Sequence, residues 1–275
     1  MRSTSAADGR MRKRLVARPE KPSAPLPDRA SSKAGSDAMR VIVTRPDHSA
    51  RRTAARLETL GHQPVFLPLT RAEHHLEIAR EALSEPHSAL VVTSAEAVRV
   101  LGELGHELRH RLSTQIYAVG EATGEAARTL GFTDIRCGDG TGHDLVERIA
   151  QDVGETSSLL YLAGNPRSPD LEDGLHARDI ACKTIEIYRM VKVGYRTEII
   201  EPLLTRPAAD AVLLYSRHNA ALFFELVQPF AASIEHLQVI CLSKNVATAV
   251  PEKFHPAIFV AETPDEDALF AFLSP

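Results

Sequence analysis

The chain holds little cysteine: three residues, Cys137, Cys182 and Cys241, in 275 positions. They lie far apart and include no C-x-x-C, so neither a disulfide framework nor a cysteine zinc site can be drawn from them, and a reducing cytoplasm is the expected setting. Long apolar runs are missing too. Ala211-Val212-Leu213-Leu214-Tyr215 is among the longest, far below the ~18 residues that cross a bilayer, so no membrane association is expected. There is no G-x-x-x-x-G-K-[ST] and no G-x-S-x-G, which removes support for a nucleotide phosphate loop or a hydrolase elbow. Gly138, Gly140 and Gly142 are spaced G-x-G-x-G, not as the dinucleotide fingerprint, and no acidic residue follows a next strand at the required distance. Together these absences call for no cofactor.

Basic charge is scarce outside the first segment. Residues 1–38 carry nine Lys/Arg and four Asp/Glu, +5; the other 237 residues carry 23 basic and 32 acidic side chains, −9. An acidic body argues against nucleic acid as a partner, because phosphate neutralisation needs a basic face. The first segment is rich in Ser, Arg and Pro, with Pro19, Pro22, Pro25 and Pro27 interrupting any helix, and has no apolar core of a secretory signal. It reads as a disordered arm or the product of an upstream start; an organelle transit peptide is the alternative. Met39-Arg40 runs directly into an apolar segment.

From Met39 onward, buried-strand runs alternate with helical patterns: Arg40–Thr44, Ala89–Thr93, Gln115–Val119, Leu159–Ala163, Ala211–Tyr215 and Gln238–Leu242. Such alternation is the mark of parallel α/β architecture. The order also recurs. Ala89–Ser94 resembles Ala211–Ser216 at an offset of 122, and Gln115–Val119 resembles Gln238–Leu242 at 123. Asp139–Ile149 resembles Glu262–Leu273, and Arg40–Thr70 pairs more loosely with Ser158–Tyr188. Two copies of one α/β domain follow.

In open α/β sheets ligands bind beyond the carboxyl ends of strands, where helix N-termini present free N–H groups. These junctions hold Thr44-Arg45-Pro46, Thr93-Ser94, Gly120 to Thr123, Gly164-Asn165-Pro166-Arg167, Ser216-Arg217 and Ser243-Lys244-Asn245. Taken singly, each hydroxyl or amide reads first as a helix cap and only second as a ligand contact. As a set, with Arg45, Arg167, Arg217 and Lys244 nearby, they suggest an anionic ligand. His106-Glu107-Leu108-Arg109-His110 matches the H-E-x-x-H metal pattern, but polar flanks and Arg109 point to a solvated helix end. His74-His75 is expected to be exposed.

These residues resemble the uroporphyrinogen-III synthase family. The resemblance spans 39–275 and rests on Val43-Thr44-Arg45-Pro46, Val92-Thr93-Ser94 with Ala97-Val98, and Val119 to Thr123. It continues through Gly164-Asn165 with Arg167, Ile187-Tyr188, Ser216 and Ala261-Glu262-Thr263-Pro264. It implies two similar, flavodoxin-like α/β domains with parallel sheets, interlaced and joined by a two-stranded linker, with a cleft between them. Carried over, domain one is 39–69 plus 193–275, domain two is 73–188, and 70–72 and 189–192 are linkers; a sequential split near residue 155 fits the repeat equally well.

The resemblance implies a lyase that closes hydroxymethylbilane to uroporphyrinogen III, losing water and inverting ring D, in tetrapyrrole biosynthesis and without a cofactor. Tyr188 is then the candidate catalytic residue, helping water leave or positioning ring A; a packing tyrosine is its structural alternative. Substrate-binding candidates are Arg45, Thr93, Ser94, Gly120, Thr123, Gly164, Asn165, Arg167, Ser216, Ser243 and Asn245. Ser243 stands where the family commonly has glycine, and Val246 where a hydroxyl residue is often found. A monomer is expected, with transient contact to hydroxymethylbilane synthase among the implied partners. The rival reading is a non-catalytic two-domain relative that binds a tetrapyrrole or other anion as a regulator. A receiver-type domain is disfavoured, because a basic Thr44-Arg45-Pro46 stands where acidic residues would cluster.

Overall fold

A computed structural model describes residues 38–152 and 158–273; the reading of the arm falls on residues outside them. Eleven strands are described: β1 (Arg40–Val43), β2 (Gln63–Phe66), β3 (Thr70–His74), β4 (Ala89–Val92), β5 (Gln115–Ala118), β6 (Ile135–Cys137), β7 (Leu159–Asn165), β8 (Cys182–Lys192), β9 (Ala211–Leu214), β10 (Gln238–Cys241) and β11 (Ile258–Val260). They form two sheets, in the orders β11-β10-β9-β1-β2 and β3-β8-β7-β4-β5-β6. All pairings are parallel except β3 with β8.

The sequence repeat reappears as a repeat of topology. Match β4 with β9, β5 with β10, β6 with β11, β7 with β1 and β8 with β2, and the five strands stand in one order in both sheets. The six apolar runs are all inner strands, because each is buried on both faces. Ile42, Val212 and Leu214 enter one core while Val41, Val43 and Leu213 enter the other. Ile116 and Tyr117 divide in the same way in the second sheet. Near-continuous apolar runs are what helices on both faces of a parallel sheet require.

Strand order reverses between β1 and β9 in one sheet and between β7 and β4 in the other. The helices that follow these strands accordingly cover opposite faces. Ala97, Val98 and Leu101 of the helix after β4 pack in one core, Leu171 and Leu175 of the helix after β7 in the other. A crevice beyond the strand ends opens at such a reversal.

The segments 70–72 and 189–192 are paired strand residues, with Thr70 opposite Lys192 and Ala72 opposite Met190. His74, expected to be exposed, ends this pair with only 16% of its side chain accessible, its ring nitrogens 2.8 Å from Glu96 and Glu103. Those two glutamates sit seven residues apart on the helix Ala95–Glu103, so two helical turns bring both to one face, over the histidine. The H-E-x-x-H stretch is an exposed 3₁₀ turn, Gly105–Arg111, from which only Leu108 is buried. Glu107 there is paired with Arg80, 2.6 Å away.

Candidate active site

Thr93 and Ser94 follow β4 at the reversal point of the six-stranded sheet. Ser94 has an extended backbone and caps the helix Ala95–Glu103, its Oγ accepting from the Ala97 N–H at 3.2 Å. Capping fixes the hydroxyl without using its own proton. That Oγ lies 2.8 Å from Tyr188 Oη, and Thr93 Oγ1 lies 2.7 Å from Tyr161 Oη. Two hydroxyl pairs therefore stand side by side, each joining β4 to a strand 68 or 94 residues further on.

The backbone explains why Tyr188 reaches this place. Pairing of β7 with β8 runs in register to Ala163 opposite Glu186, then slips so that Gly164 faces Tyr188. The extra residue is a bulge, and it turns Ile187 and Tyr188 into the same core instead of to opposite faces. Gly164 makes room for the ring: a Cβ there would fall 2.1 Å from Cζ and 2.2 Å from Oη of Tyr188. The tyrosine lies flush on the strand beside it.

These groups line a cavity of about 280 Å³ together with Gly142 and Arg167. The guanidinium of Arg167 is held by Glu172, at 2.8 and 3.2 Å, and reaches the Gly164 carbonyl at 3.5 Å. Glu172 is lowered below its usual range by that bond, and Arg167 is raised by the same contact. Asn165 donates to Glu186 at 2.8 Å, and Glu186 also holds Arg189. Burial pushes the Tyr188 and Tyr161 hydroxyls above their usual values, and the bonds from Ser94 and Thr93 only partly offset it. Both phenols are neutral at pH 7, able to donate a hydrogen bond but not to act as bases.

The predicted residues thus separate into three groups. Thr93, Ser94, Gly164, Arg167 and Tyr188 meet at the cavity, with Asn165 beside them. Gly120 precedes the helix Glu121–Leu130 and packs against Gly140, and Thr123 is buried in that helix. Arg45, Ser216, Ser243 and Asn245 belong to strand ends of the five-stranded sheet. Ser216 and Ser243 act there as helix caps, bonding Asn219 and Val246, and Asn245 is exposed.

Arg45 is not a free cation. It bonds Glu266 at 2.8 Å and lies over the Tyr215 ring, 4.2 Å from its centroid. The same glutamate accepts from Thr53, from Tyr215 at 2.8 Å and from Arg56 at 2.9 Å. Burial opposes ionisation of Glu266, but Thr53, Tyr215 and Arg45 hold it below its usual value.

The cavity is also lined by Tyr161, Gly142, Val119, Pro166, Ser168 and Leu171, none of them named as a site residue from the sequence. The signal for Tyr161 was a polar tip inside an otherwise apolar run, Leu159–Ala163. Among the described residues no group of three His, Cys, Asp or Glu stands close enough to hold a metal ion.

The family described as Uroporphyrinogen-III synthase HemD matches residues 51–271. The porphyrin biosynthesis protein HemD of Ruminiclostridium josui is 22% identical over 240 residues, covering 84% of this chain and 47% of that protein. The uroporphyrinogen-III synthase of Saccharomyces cerevisiae is 26% identical over 147 residues, covering 46% of this chain and 54% of the relative. The chain thus spans about half the length of the curated relatives it matches. Among solved structures, the uroporphyrinogen-III synthetase of Helicobacter pylori is 16% identical with a TM-score of 0.59, covering 85% of this chain and 97% of its own. A mutant uroporphyrinogen III synthase of Thermus thermophilus is 20% identical with a TM-score of 0.50, covering 86% and 97%. These two share the α/β fold. With 221 residues matched to it, the chain belongs to the uroporphyrinogen-III synthase HemD family.

Proposed function

We propose that the chain is a uroporphyrinogen-III synthase, a cyclising lyase that converts hydroxymethylbilane to uroporphyrinogen III with loss of water and inversion of ring D. The observation that carries this reading is the cavity itself, in which Tyr188 lies across Gly164 with its hydroxyl 2.8 Å from Ser94. The substrate carries eight carboxylates and an unstable hydroxymethyl group. The pyrrole nitrogen assists departure of that hydroxyl, and the chain closes unaided to the wrong isomer. The protein's task is then to hold one conformation, and fixed orientation can lower a barrier by about 7 kcal/mol or more.

In this reading the neutral Tyr188 phenol donates to the departing hydroxyl and so helps it leave as water. Thr93, Ser94 and the backbone at Gly164 receive carboxylates, and Gly120 and Thr123 shape the neighbouring strand end. Arg45, Ser216, Ser243 and Asn245 would contribute from the five-stranded sheet, Arg45 only by releasing Glu266. Asn165 and Arg167, each tied to a glutamate, hold the loop after β7. The interlaced division, 39–69 plus 193–275 and 73–188, belongs to the same proposal and is supported by which strands share a sheet. No described helix is long and apolar enough to cross a membrane. A cytoplasmic site of action is proposed, with transient contact to hydroxymethylbilane synthase suiting so labile a substrate.

The test couples hydroxymethylbilane production to this protein and separates the oxidised porphyrin isomers. Isomer III should dominate. Isomer I alone, at the spontaneous rate, overturns the reading. Tyr188→Phe should lose most of the rate while keeping the fold, and wild-type turnover in that variant would remove the catalytic role.

A further inference from the structure

Because the two sheets repeat one strand order, every position at one reversal point has a counterpart at the other. Val91 pairs with Tyr161 between β4 and β7, as Leu213 pairs with Val43 between β9 and β1. Thr93 therefore corresponds to Tyr215, and Tyr161 to Val43. Both sheets place one phenol at this point, from opposite strands. The helices that close each sheet can be matched through their caps. Thr141 accepts from the Asp144 N–H at 3.2 Å and Asp265 from the Ala268 N–H at 2.9 Å. Leu145, Val146 and Ile149 then fill the places of Leu269, Phe270 and Leu273. In this match Gly142 stands where Glu266 stands.

The contents of the two sites differ in one respect. In the five-stranded sheet the chain supplies its own anion: the Glu266 carboxylate accepts from Tyr215, Thr53, Arg45 and Arg56. In the six-stranded sheet the phenol of Tyr161 is paired with Thr93, Gly142 supplies no side chain, and about 280 Å³ stays open. Two hydroxyls joined by one hydrogen bond use one of their two protons between them. The other remains to be donated, and it belongs to groups that line the cavity.

We infer that this cavity is a subsite for one carboxylate of the ligand, taking the place that Glu266 fills in the sister sheet, with Tyr161 as its positioning residue. Tyr161 is buried, 1% exposed, and acts by fixing the Thr93 hydroxyl so that the spare proton of the pair meets the incoming oxygen. This rests on the proposed function only for the identity of the ligand. A carboxylate held by a fixed hydroxyl loses roughly tenfold in affinity when the donor is left free to turn.

The experiment uses the full chain as wild type, Tyr161→Phe, Thr93→Val and the double variant. Uroporphyrin III binding is followed by fluorescence titration, and kcat and KM by the coupled isomer assay. Phenylalanine keeps the buried ring, so the fold is expected to persist, checked by circular dichroism. Each single variant should bind uroporphyrin III about three- to tenfold more weakly, through KM with kcat within about twofold of wild type. The double variant should be no weaker than Thr93→Val alone. Wild-type affinity in Tyr161→Phe overturns the inference, as do fully additive losses or a wild-type chain that does not bind uroporphyrin III. If Tyr161→Phe weakens binding but the wild type makes no isomer III, the subsite stands and the enzymatic reading falls.

Discussion

Alanine at position 164 would test how Tyr188 is held. The added Cβ would lie 2.1 Å from Cζ, 2.2 Å from Oη and 2.5 Å from Cε1 of Tyr188. A rotation of the ring tip cannot relieve three such contacts, so the whole ring must leave the strand. Tyr188 is only 7% exposed and packs in the core of the six-stranded sheet, and forcing one methyl into such a place costs about 1–3 kcal/mol. Leaving also breaks the bond to Ser94, worth about 1 kcal/mol. Gly164→Ala should therefore lose roughly 2–4 kcal/mol in urea unfolding, equivalent to roughly 5–15 °C in Tm for a chain of this size. Tyr188→Phe should lose about 1 kcal/mol or less, because Ser94 Oγ keeps the Ala97 N–H. In the coupled assay Gly164→Ala should be at least as slow as Tyr188→Phe, since it displaces the hydroxyl instead of deleting it. In a Tyr188→Ala background, Gly164→Ala should cost almost nothing further. A Gly164→Ala protein with wild-type stability and turnover would refute the claim that this glycine seats the tyrosine.

Glu266→Ala removes the shared acceptor of Thr53, Tyr215, Arg45 and Arg56. With 18% of its side chain accessible, the loss should be about 2–4 kcal/mol in urea unfolding, below the fully buried case; a change under about 0.5 kcal/mol would show the cluster to be ornamental. Because Glu266 is held below its ordinary value, its ionic stabilisation is complete above the unfolded carboxyl's range and fades as pH falls through the folded value. The stability gap between wild type and Glu266→Gln should thus be flat from pH 7 to about 5 and shrink below about 4.5; a gap unchanged at pH 3 contradicts this. Burial pushes the Cys241 thiol up to about 12, and it is inaccessible, so a thiol-specific disulfide reagent should label it only on unfolding, and labelling as fast as half-buried Cys137 would contradict its place in the core. Under the proposed substrate, raising NaCl from about 20 to 200 mM should leave KM level or lower it, because long-range repulsion is screened; a KM rising several-fold would reveal free cations in the site.

The parts of the fold that the residues disclosed are those where one physical demand acts over consecutive positions. Val41-Ile42-Val43 and Ala211 to Leu214 are buried on both faces, and no partner need be known to read them as inner strands. Edge strands carry weaker patterns: β2 is Gln-Pro-Val-Phe with Phe66 exposed, and β6 is Ile-Arg-Cys. The repeat is legible because matching inner strands keep matching apolar runs at near-constant offsets. The site is legible only in outline. Thr93, Ser94, Gly164 and Tyr188 carry family motifs, but their pairing depends on the bulge at Ile187 and on Gly164, which no local pattern reveals. That Arg45 is already paired was not legible locally, because its partner, Glu266, lies 221 residues away. His74 looked solvated because the helix that brings Glu96 and Glu103 over it packs by tertiary contact.

Charge shows how far composition can mislead about a site. Most side chains of the body are acidic or neutral, and its balance of −9 would repel a polycarboxylate at long range. At physiological salt that field decays within about 8 Å. What a bound carboxylate meets is set by the atoms in direct contact with it. At the cavity these are neutral hydroxyls, with Arg167 already neutralised by Glu172. A carboxylate entering there meets donors without a buried cation that would be left unpaired whenever the site is empty, a state costing several kcal/mol. Under the proposed function, neutral donors would let the cavity stand open between turnovers and still fix an anion's orientation when it arrives. The sister sheet gives the contrasting case, since two arginines converge there and the chain provides Glu266 to satisfy them. A cavity lined by neutral hydroxyls and a cluster in which two arginines share the chain's own carboxylate are two solutions to the same electrostatic constraint on one strand arrangement.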